Sequence, residues 1–155
     1  MEILARLEET RERTLRCFDF SEEALELRYA ADKWTVRFLL HHLADAEMVF
    51  FDRIRRVISE ERRQVLWAFD PAAAAIALDW EHMPLALSRG IYDSVRAGVI
   101  YQDRLHYERR GDREFVHSEA GIRTLKDEFD KVGWHNQHHL DQIQKALDGR
   151  QRGGS

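Results

Sequence analysis

The chain has 155 residues, of which 44% are hydrophobic and 34% charged, with a formal net charge of −4 and a single cysteine. This length and composition are typical of one soluble globular domain, which can bury a core of adequate size without a disulfide or a structural metal. The acidic balance argues against a nucleic-acid-binding protein, and the single cysteine excludes an intramolecular disulfide and a cysteine-rich zinc site.

No segment of the sequence is typical of an export signal or of a membrane-spanning helix. No N-terminal stretch combines positive charge with an apolar run in the manner of a signal peptide, and no apolar run approaches the ~18 residues of a membrane-spanning helix. We therefore expect a cytoplasmic protein with no membrane partner. Cys17 lies among apolar residues of the first predicted helix, where we expect it to be a small buried hydrophobe.

The first part of the chain predicts two long helices with a short one between them. Apolar residues recur at helical spacing from Ile3 to Phe18, which indicates an amphipathic helix. Ser21 is followed by two glutamates, a pattern that predicts a helix of one or two turns. The second long helix is expected to begin after Thr35, a suitable N-cap, and to end near Glu60.

The middle of the chain is less regular. The stretch Arg62–Asp79 contains tryptophan, phenylalanine, proline and an alanine run, which predicts a broken connection with short helical pieces. The third long helix is expected to start near Pro84, because proline suits the first turn of a helix, and to end before Gly111. We expect Gly111–Gly121 to be a loop.

The fourth long helix completes the expected fold. Thr124, with Asp127 three residues later, resembles a capping box at its start, and we expect it to end near Asp148. Four long amphipathic helices predict an all-α four-helix bundle with a long connection between the second and third helices. We expect residues 1–148 to form this bundle and residues 149–155 to form a flexible C-terminal tail.

Histidine placement is the most informative feature of the sequence. His135 and His139 are four residues apart on the fourth helix, so their side chains lie one turn above each other at the inner edge of its apolar stripe. His42 lies within the apolar arc of the second helix, whereas His41 points about 100° away and His138 is expected at the surface. Taken separately, an inward histidine or a pair is more often structural, and the residues alone leave that interpretation open. If the two helices are neighbours, His42, His135 and His139 can share one metal ion.

Three imidazoles suit a catalytic rather than a closed site. They leave one or two coordination positions for solvent or substrate, and because they are neutral the ion would favour an anionic further ligand. We expect zinc or nickel, although iron, manganese and copper also accept histidine. Asp45, Glu47 and Gln142 are candidates for orienting the rings. A di-iron site would need two Glu-x-x-His motifs, and the one such spacing, Glu114–His117, lies in the predicted loop.

Two blocks of the sequence resemble the DinB/YfiT-like family. Trp34–Glu47 is similar to the family's W-[ST]…H-L-x-D-x-E signature, and His117–Ile143, which contains the run His135–His139, is similar to its C-terminal signature. The two blocks stand in the order and at the separation that the family shows. The resemblance covers most of Met1–Leu147 and is vague across Arg62–Arg104.

The resemblance implies a four-helix bundle with a metal ion bound by His42, His135 and His139. The family includes thiol-dependent S-transferases and a thiol-dependent isomerase, and its members are often dimeric. The resemblance therefore implies a metal-dependent enzyme that binds a thiolate at the ion, a small-molecule substrate, a low-molecular-weight thiol and a homodimer. Two alternatives remain: a hydrolase that uses metal-bound hydroxide, and a non-enzymatic metal-binding stress-response module. No catalytic base is assigned.

Overall fold

A computed structural model describes residues 2–61 and 63–152. Within these residues the chain forms six helices and three short strands. In chain order they are α1 (Ile3–Cys17), α2 (Glu22–Leu25), α3 (Val36–Ser59), β1 (Val65–Leu66), α4 (Pro71–Ala77), α5 (Leu85–Arg110), β2 (Glu114–His117), β3 (Gly121–Thr124) and α6 (Leu125–Arg152).

The four long helices form the bundle that the apolar spacing predicts. Helices α1 and α3 each pack against both α5 and α6, because each carries an apolar stripe that is removed from water only when it meets another helix. Two clusters of buried side chains fill the interior; their largest members include Phe50, Ile54, Phe115 and Phe129 in one, and Leu40, Leu43, Tyr92 and Ile143 in the other. No described helix is both long enough and apolar enough to cross a membrane.

Side-chain caps begin the two helices that carry the candidate ligands. Thr35 Oγ1 accepts a hydrogen bond from the Phe38 N–H at 3.2 Å at the start of α3. Before α6, Thr124 Oγ1 accepts from the Asp127 N–H at 3.2 Å, and Asp127 Oδ2 accepts from the Thr124 N–H at 2.8 Å. This reciprocal pair is the capping box expected from the sequence, and it satisfies two backbone donors that the helix leaves unpaired.

The segment Gly111–Gly121 is not a loop throughout, and on this point the prediction was wrong. Strands β2 and β3 form an antiparallel hairpin, and β1 from the α3–α5 connection pairs in parallel with β2. Gly121, at φ +77°, begins β3 in a backbone conformation that favours glycine. The hairpin anchors in the core through Phe115, which is fully buried. Glu114–His117 is polar, apolar, apolar and polar in turn, so it lacks the alternation that indicates a strand, and the burial of Phe115 could be seen only in the structure.

The connection between α3 and α5 is broken into short pieces, as predicted. Asp70 Oδ1 accepts hydrogen bonds from the Ala72 and Ala73 N–H groups at 3.0 Å and caps α4. The backbone N–H of Ala68 donates to Ser118 Oγ at 2.8 Å, so the connection is tied to the turn of the hairpin. This link brings the connection and the hairpin to the same end of the bundle.

The last helix is longer than its pattern predicts. Helix α6 continues through Gly149 to Arg152, so the glycine does not end it. Glycine lowers helix stability by only about 1 kcal/mol relative to alanine, and its presence does not require a stop. The remaining residues of the predicted tail, 153–155, lie outside the described part of the chain.

Candidate metal centre

The structure brings together His42, His135 and His139, the three histidines that the sequence predicts as metal ligands. Nε2 of His135 lies 2.9 Å from Nε2 of His42 and 3.1 Å from Nε2 of His139. Each residue offers one ring nitrogen, and the three nitrogens lie within 4.8 Å of one another. Across residues 2–61 and 63–152, no other group of three histidine, cysteine, aspartate or glutamate side chains converges in this way.

Two helices supply the cluster. His135 and His139 stand one turn apart on α6, where the helical period places both rings on one side. His42 lies in the middle of α3, which packs along α6. Side chains held on packed helices are positioned more accurately than side chains on loops, so the three nitrogens converge without any loop having to order.

Hydrogen bonds set the tautomer of His139. Its Nδ1 lies 2.7 Å from Gln142 Oε1, and the amide nitrogen of Gln142 points to His138 Nε2 at 3.2 Å. With the Gln142 oxygen accepting, the proton of the neutral His139 ring is on Nδ1, and its Nε2 lone pair faces the cluster. If His135 carried its proton on Nε2, it could donate a hydrogen bond to only one of its two close neighbours, the Nε2 atoms of His42 and His139. A shared cation would satisfy all three lone pairs.

Burial keeps the three imidazoles uncharged. Desolvation, together with the neighbouring imidazoles, lowers the pKa of His42 to about 3 and that of His135 to about 2. Desolvation also lowers the pKa of His139 to about 4, although the hydrogen bond with Gln142 opposes the shift. All three rings are therefore neutral at pH 7, which is the state in which a histidine binds a metal.

Aromatic rings enclose the His42 side of the cluster. The ring centroid of His42 lies 5.3 Å from that of Trp34, 6.3 Å from that of Trp80 and 6.4 Å from that of Phe69. Its Nδ1 is buried without a hydrogen-bond partner among the described residues, so this ring is held by packing. His135 and His139 are only partly buried, and the cluster is therefore open to solvent on the α6 side. Phe69 and Trp80 could not be assigned to the site from the sequence, because an irregular connection has no periodicity to orient its side chains.

The remaining sequence candidates lie away from the three nitrogens. His41 is buried, and its Nδ1 contacts Ser88 Oγ at 2.7 Å. His138 is exposed, as expected, and stacks on Trp134 with 5.4 Å between ring centroids. Of the three residues expected to orient the rings, only Gln142 contacts one of them; Asp45 has no hydrogen bond to a described histidine.

Glu47 does not orient a histidine, because a buried arginine binds it. Arg96 is 0% exposed, and its guanidinium donates to Glu47 Oε1 at 2.5 Å and Oε2 at 2.9 Å. The same guanidinium donates to Thr10 Oγ1 at 2.9 Å and to Asn136 Oδ1 at 2.7 Å, and Asn136 also accepts from the Tyr92 hydroxyl at 2.5 Å. This network joins all four long helices. Asn136 follows His135 directly, so the network also restrains the rotation of α6 at the cluster.

Comparison with known proteins identifies relatives over most of the chain. A model of the DinB superfamily matches residues 6–143. A protein of Oceanobacillus iheyensis named "Putative metal-dependent hydrolase" is 28% identical over 127 residues, which cover 82% of this chain and 72% of that protein. A protein of the same name from Halalkalibacterium halodurans is 25% identical over 135 residues, which cover 86% and 78% of the two chains.

A solved structure has the same architecture. YfiT from Bacillus subtilis, described as "a probable metal-dependent hydrolase with an unusual four-helix bundle topology", superposes with a TM-score of 0.82 at 23% identity. The match covers 99% of this chain and 87% of that one, which confirms the four-helix bundle. Because the family model spans nearly the whole bundle, the chain belongs to the DinB superfamily.

Proposed function

We propose that this protein is a metal-dependent hydrolase whose divalent ion is held by His42, His135 and His139. The observation that carries the proposal is the convergence of three ring nitrogens, with Nε2–Nε2 separations of 2.9 and 3.1 Å. Tetrahedral coordination at a Zn–N distance of ~2.0–2.1 Å separates two ligand nitrogens by about 3.3 Å, so a small movement of the rings would admit an ion. The hydrolase names of the relatives support the choice of reaction.

The three nitrogen donors suit zinc or nickel and leave coordination positions for solvent or substrate. When bound, the ion supplies a Lewis acid that polarises a substrate carbonyl and lowers the pKa of a water molecule. The three neutral imidazoles leave its charge uncompensated, and Gln142 keeps the His139 proton on the nitrogen that faces away from the cluster. Trp34, Phe69 and Trp80 exclude water from the His42 side, which strengthens electrostatic interactions there.

Thiol transfer is the second candidate, because a neutral ligand set that favours hydroxide favours a thiolate equally. The chain itself does not supply this thiol. Cys17 is 7% exposed, and burial raises its pKa to about 11. A transferase reaction would therefore require a separate low-molecular-weight thiol, as the resemblance to thiol-dependent enzymes implies.

Metal analysis with matched variants tests the ligand set. Wild-type protein is expected to retain about one divalent ion per chain, and His135→Ala is expected to lose it. The control is His82→Ala, since His82 is exposed and pairs with Asp79 outside the cluster. Equal metal content in wild type and His135→Ala would contradict the proposed site.

Substrate panels then separate the two reactions. The metal-loaded protein is assayed on esters, amides and lactones without thiol, and on electrophiles with an added thiol. Hydrolysis that needs no thiol and is lost in His42→Ala would support the proposal. Turnover that appears only with thiol would replace hydrolysis with thiol transfer, and no turnover in either panel would favour a binding module.

A further inference from the structure

A lysine lies beside the histidine cluster on the side that is open to solvent. Lys131 precedes His135 by one turn of α6, so both project from the same face. Its Nζ lies 5.5 Å from the centroid of the Phe50 ring, and that centroid is 5.1 Å from the centroid of the His135 ring. Lys131 also lines a cavity of about 610 Å³ together with His117 and Trp134. The three clustered histidines do not line this cavity themselves, and Lys131 links it to His135 through the Phe50 ring.

His117 contributes a neutral donor to the same cavity. Its Nδ1 accepts hydrogen bonds from the backbone N–H groups of Glu119 at 3.2 Å and Ala120 at 3.1 Å. A neutral imidazole that accepts at Nδ1 carries its proton on Nε2. Burial lowers the pKa of His117, which keeps the ring neutral. Its Nε2–H has no hydrogen-bond acceptor among the described residues.

The ammonium group of Lys131 is not neutralised by a contact of its own. The nearby Arg53 donates to Glu128 Oε1 at 3.2 Å and to the Trp67 carbonyl at 2.6 Å, and the Arg53 and Glu128 side chains are 3% and 2% exposed. Within the described residues, Lys131 forms no hydrogen bond or ion pair. Three acids line the cavity and each is bonded elsewhere: Glu128 to Arg53, Asp127 to the Thr124 N–H at the start of α6, and Asp130 to the Tyr107 hydroxyl.

We propose that the Lys131 ammonium and the His117 Nε2–H form a carboxylate-binding subsite beside the three-histidine centre. The substrate would carry its carboxylate at this subsite and place the bond to be cleaved at the ion, so the catalytic consequence rests on the proposed function. The Lys131 ammonium and the His117 Nε2–H supply one point charge and one neutral donor, which suits a carboxylate. Two arginines also line the cavity, Arg6 and Arg123, and Arg123 lies 4.0 Å from Asp127 Oδ2. A phosphate would favour a bidentate guanidinium, and that of the nearby Arg53 is already engaged by Glu128 and a backbone carbonyl.

Binding of benzoate to the metal-free and the metal-loaded protein tests the subsite independently of catalysis. Chemical-shift titration measures the dissociation constant, with benzamide as the neutral isostere. Lys131→Met is expected to weaken benzoate binding about tenfold, the loss typical of one charge-assisted hydrogen bond, and to leave benzamide binding unchanged. The matched control is Lys126→Met on the same helix, since the Lys126 ammonium pairs with Glu108 at 3.3 Å. This control is expected to bind benzoate as wild type does.

A second variant tests the other donor of the subsite, His117. His117→Asn retains an acceptor near the position of Nδ1 for the turn and removes the Nε2–H donor, so it should also weaken benzoate binding. Thermal unfolding shows whether each variant is folded. Equal benzoate affinity in wild type and Lys131→Met overturns the subsite. Benzoate binding that is seen only in the metal-loaded protein and is unchanged by Lys131→Met also overturns it. Failure of the proposed function would appear separately, as absence of the ion in elemental analysis.

Discussion

Replacing Arg96 with methionine should destabilise the bundle strongly, because it leaves a carboxylate buried without a counter-ion. Arg96 and Glu47 are 0% and 2% exposed, and the guanidinium donates to both carboxylate oxygens of Glu47. Methionine fills much of the space of the arginine stem and supplies no donor. Removing one partner of a buried ion pair typically lowers the free energy of unfolding by about 3–5 kcal/mol. We expect a decrease in this range or above it, because Thr10 and Asn136 would also be left without the guanidinium as a hydrogen-bond donor.

Urea unfolding followed by far-ultraviolet circular dichroism measures this decrease. The double variant Arg96→Met with Glu47→Leu leaves neither charge of the pair in the core and should be more stable than the single variant by roughly 2 kcal/mol or more. Arg104→Met on the same helix is the control, because Arg104 pairs with Glu8 at the surface and should change stability by less than about 1 kcal/mol. A decrease below about 1 kcal/mol for Arg96→Met, or no recovery in the double variant, would show that Arg96 is not needed to neutralise the buried Glu47 carboxylate.

Three further predictions concern the histidine cluster. Gln142→Leu removes the acceptor for the His139 Nδ1–H and should weaken metal binding by about 10- to 100-fold, as measured by competitive chelator titration. The control is Gln144→Leu on the same helix, which should leave metal binding unchanged because Gln144 pairs with Asp148. Because the folded-state pKa values of the cluster lie below the ordinary 6.5, the folded state binds fewer protons, so the stability of the metal-free protein should fall as pH drops below about 6.5. Each ring that stays neutral in the folded state should lower the free energy of unfolding at pH 5.5 by about 1.4 kcal/mol relative to pH 7.5. Urea midpoints that are equal at the two pH values would contradict this. A divalent ion at about a thousand times its dissociation constant should stabilise the fold by about 4 kcal/mol in the same assay, an effect that a chelator should remove and that His135→Ala should lack.

Local rules were enough to predict the four helices and the relative placement of the α6 histidines. Thr35 and Thr124 are recognised as N-caps because a cap bonds to backbone a few residues ahead. His135 and His139 face the same way because the helical period relates neighbours four residues apart. These relations act within one or two turns, so they can be derived from residue order alone.

Long-range partners could be determined only from the packed chain. Glu47 is close to His42 in sequence and was therefore a candidate for orienting a histidine. In the packed bundle its carboxylate instead accepts hydrogen bonds from Arg96, 49 residues away. The same is true of Phe115, whose burial accompanies a strand where a loop was expected, and of the contact between the Lys131 ammonium on α6 and the Phe50 ring on α3. Such partners are set by how helices and hairpin pack in three dimensions, because the free energy of burying an ion pair or an aromatic ring depends on neighbours that are distant in sequence.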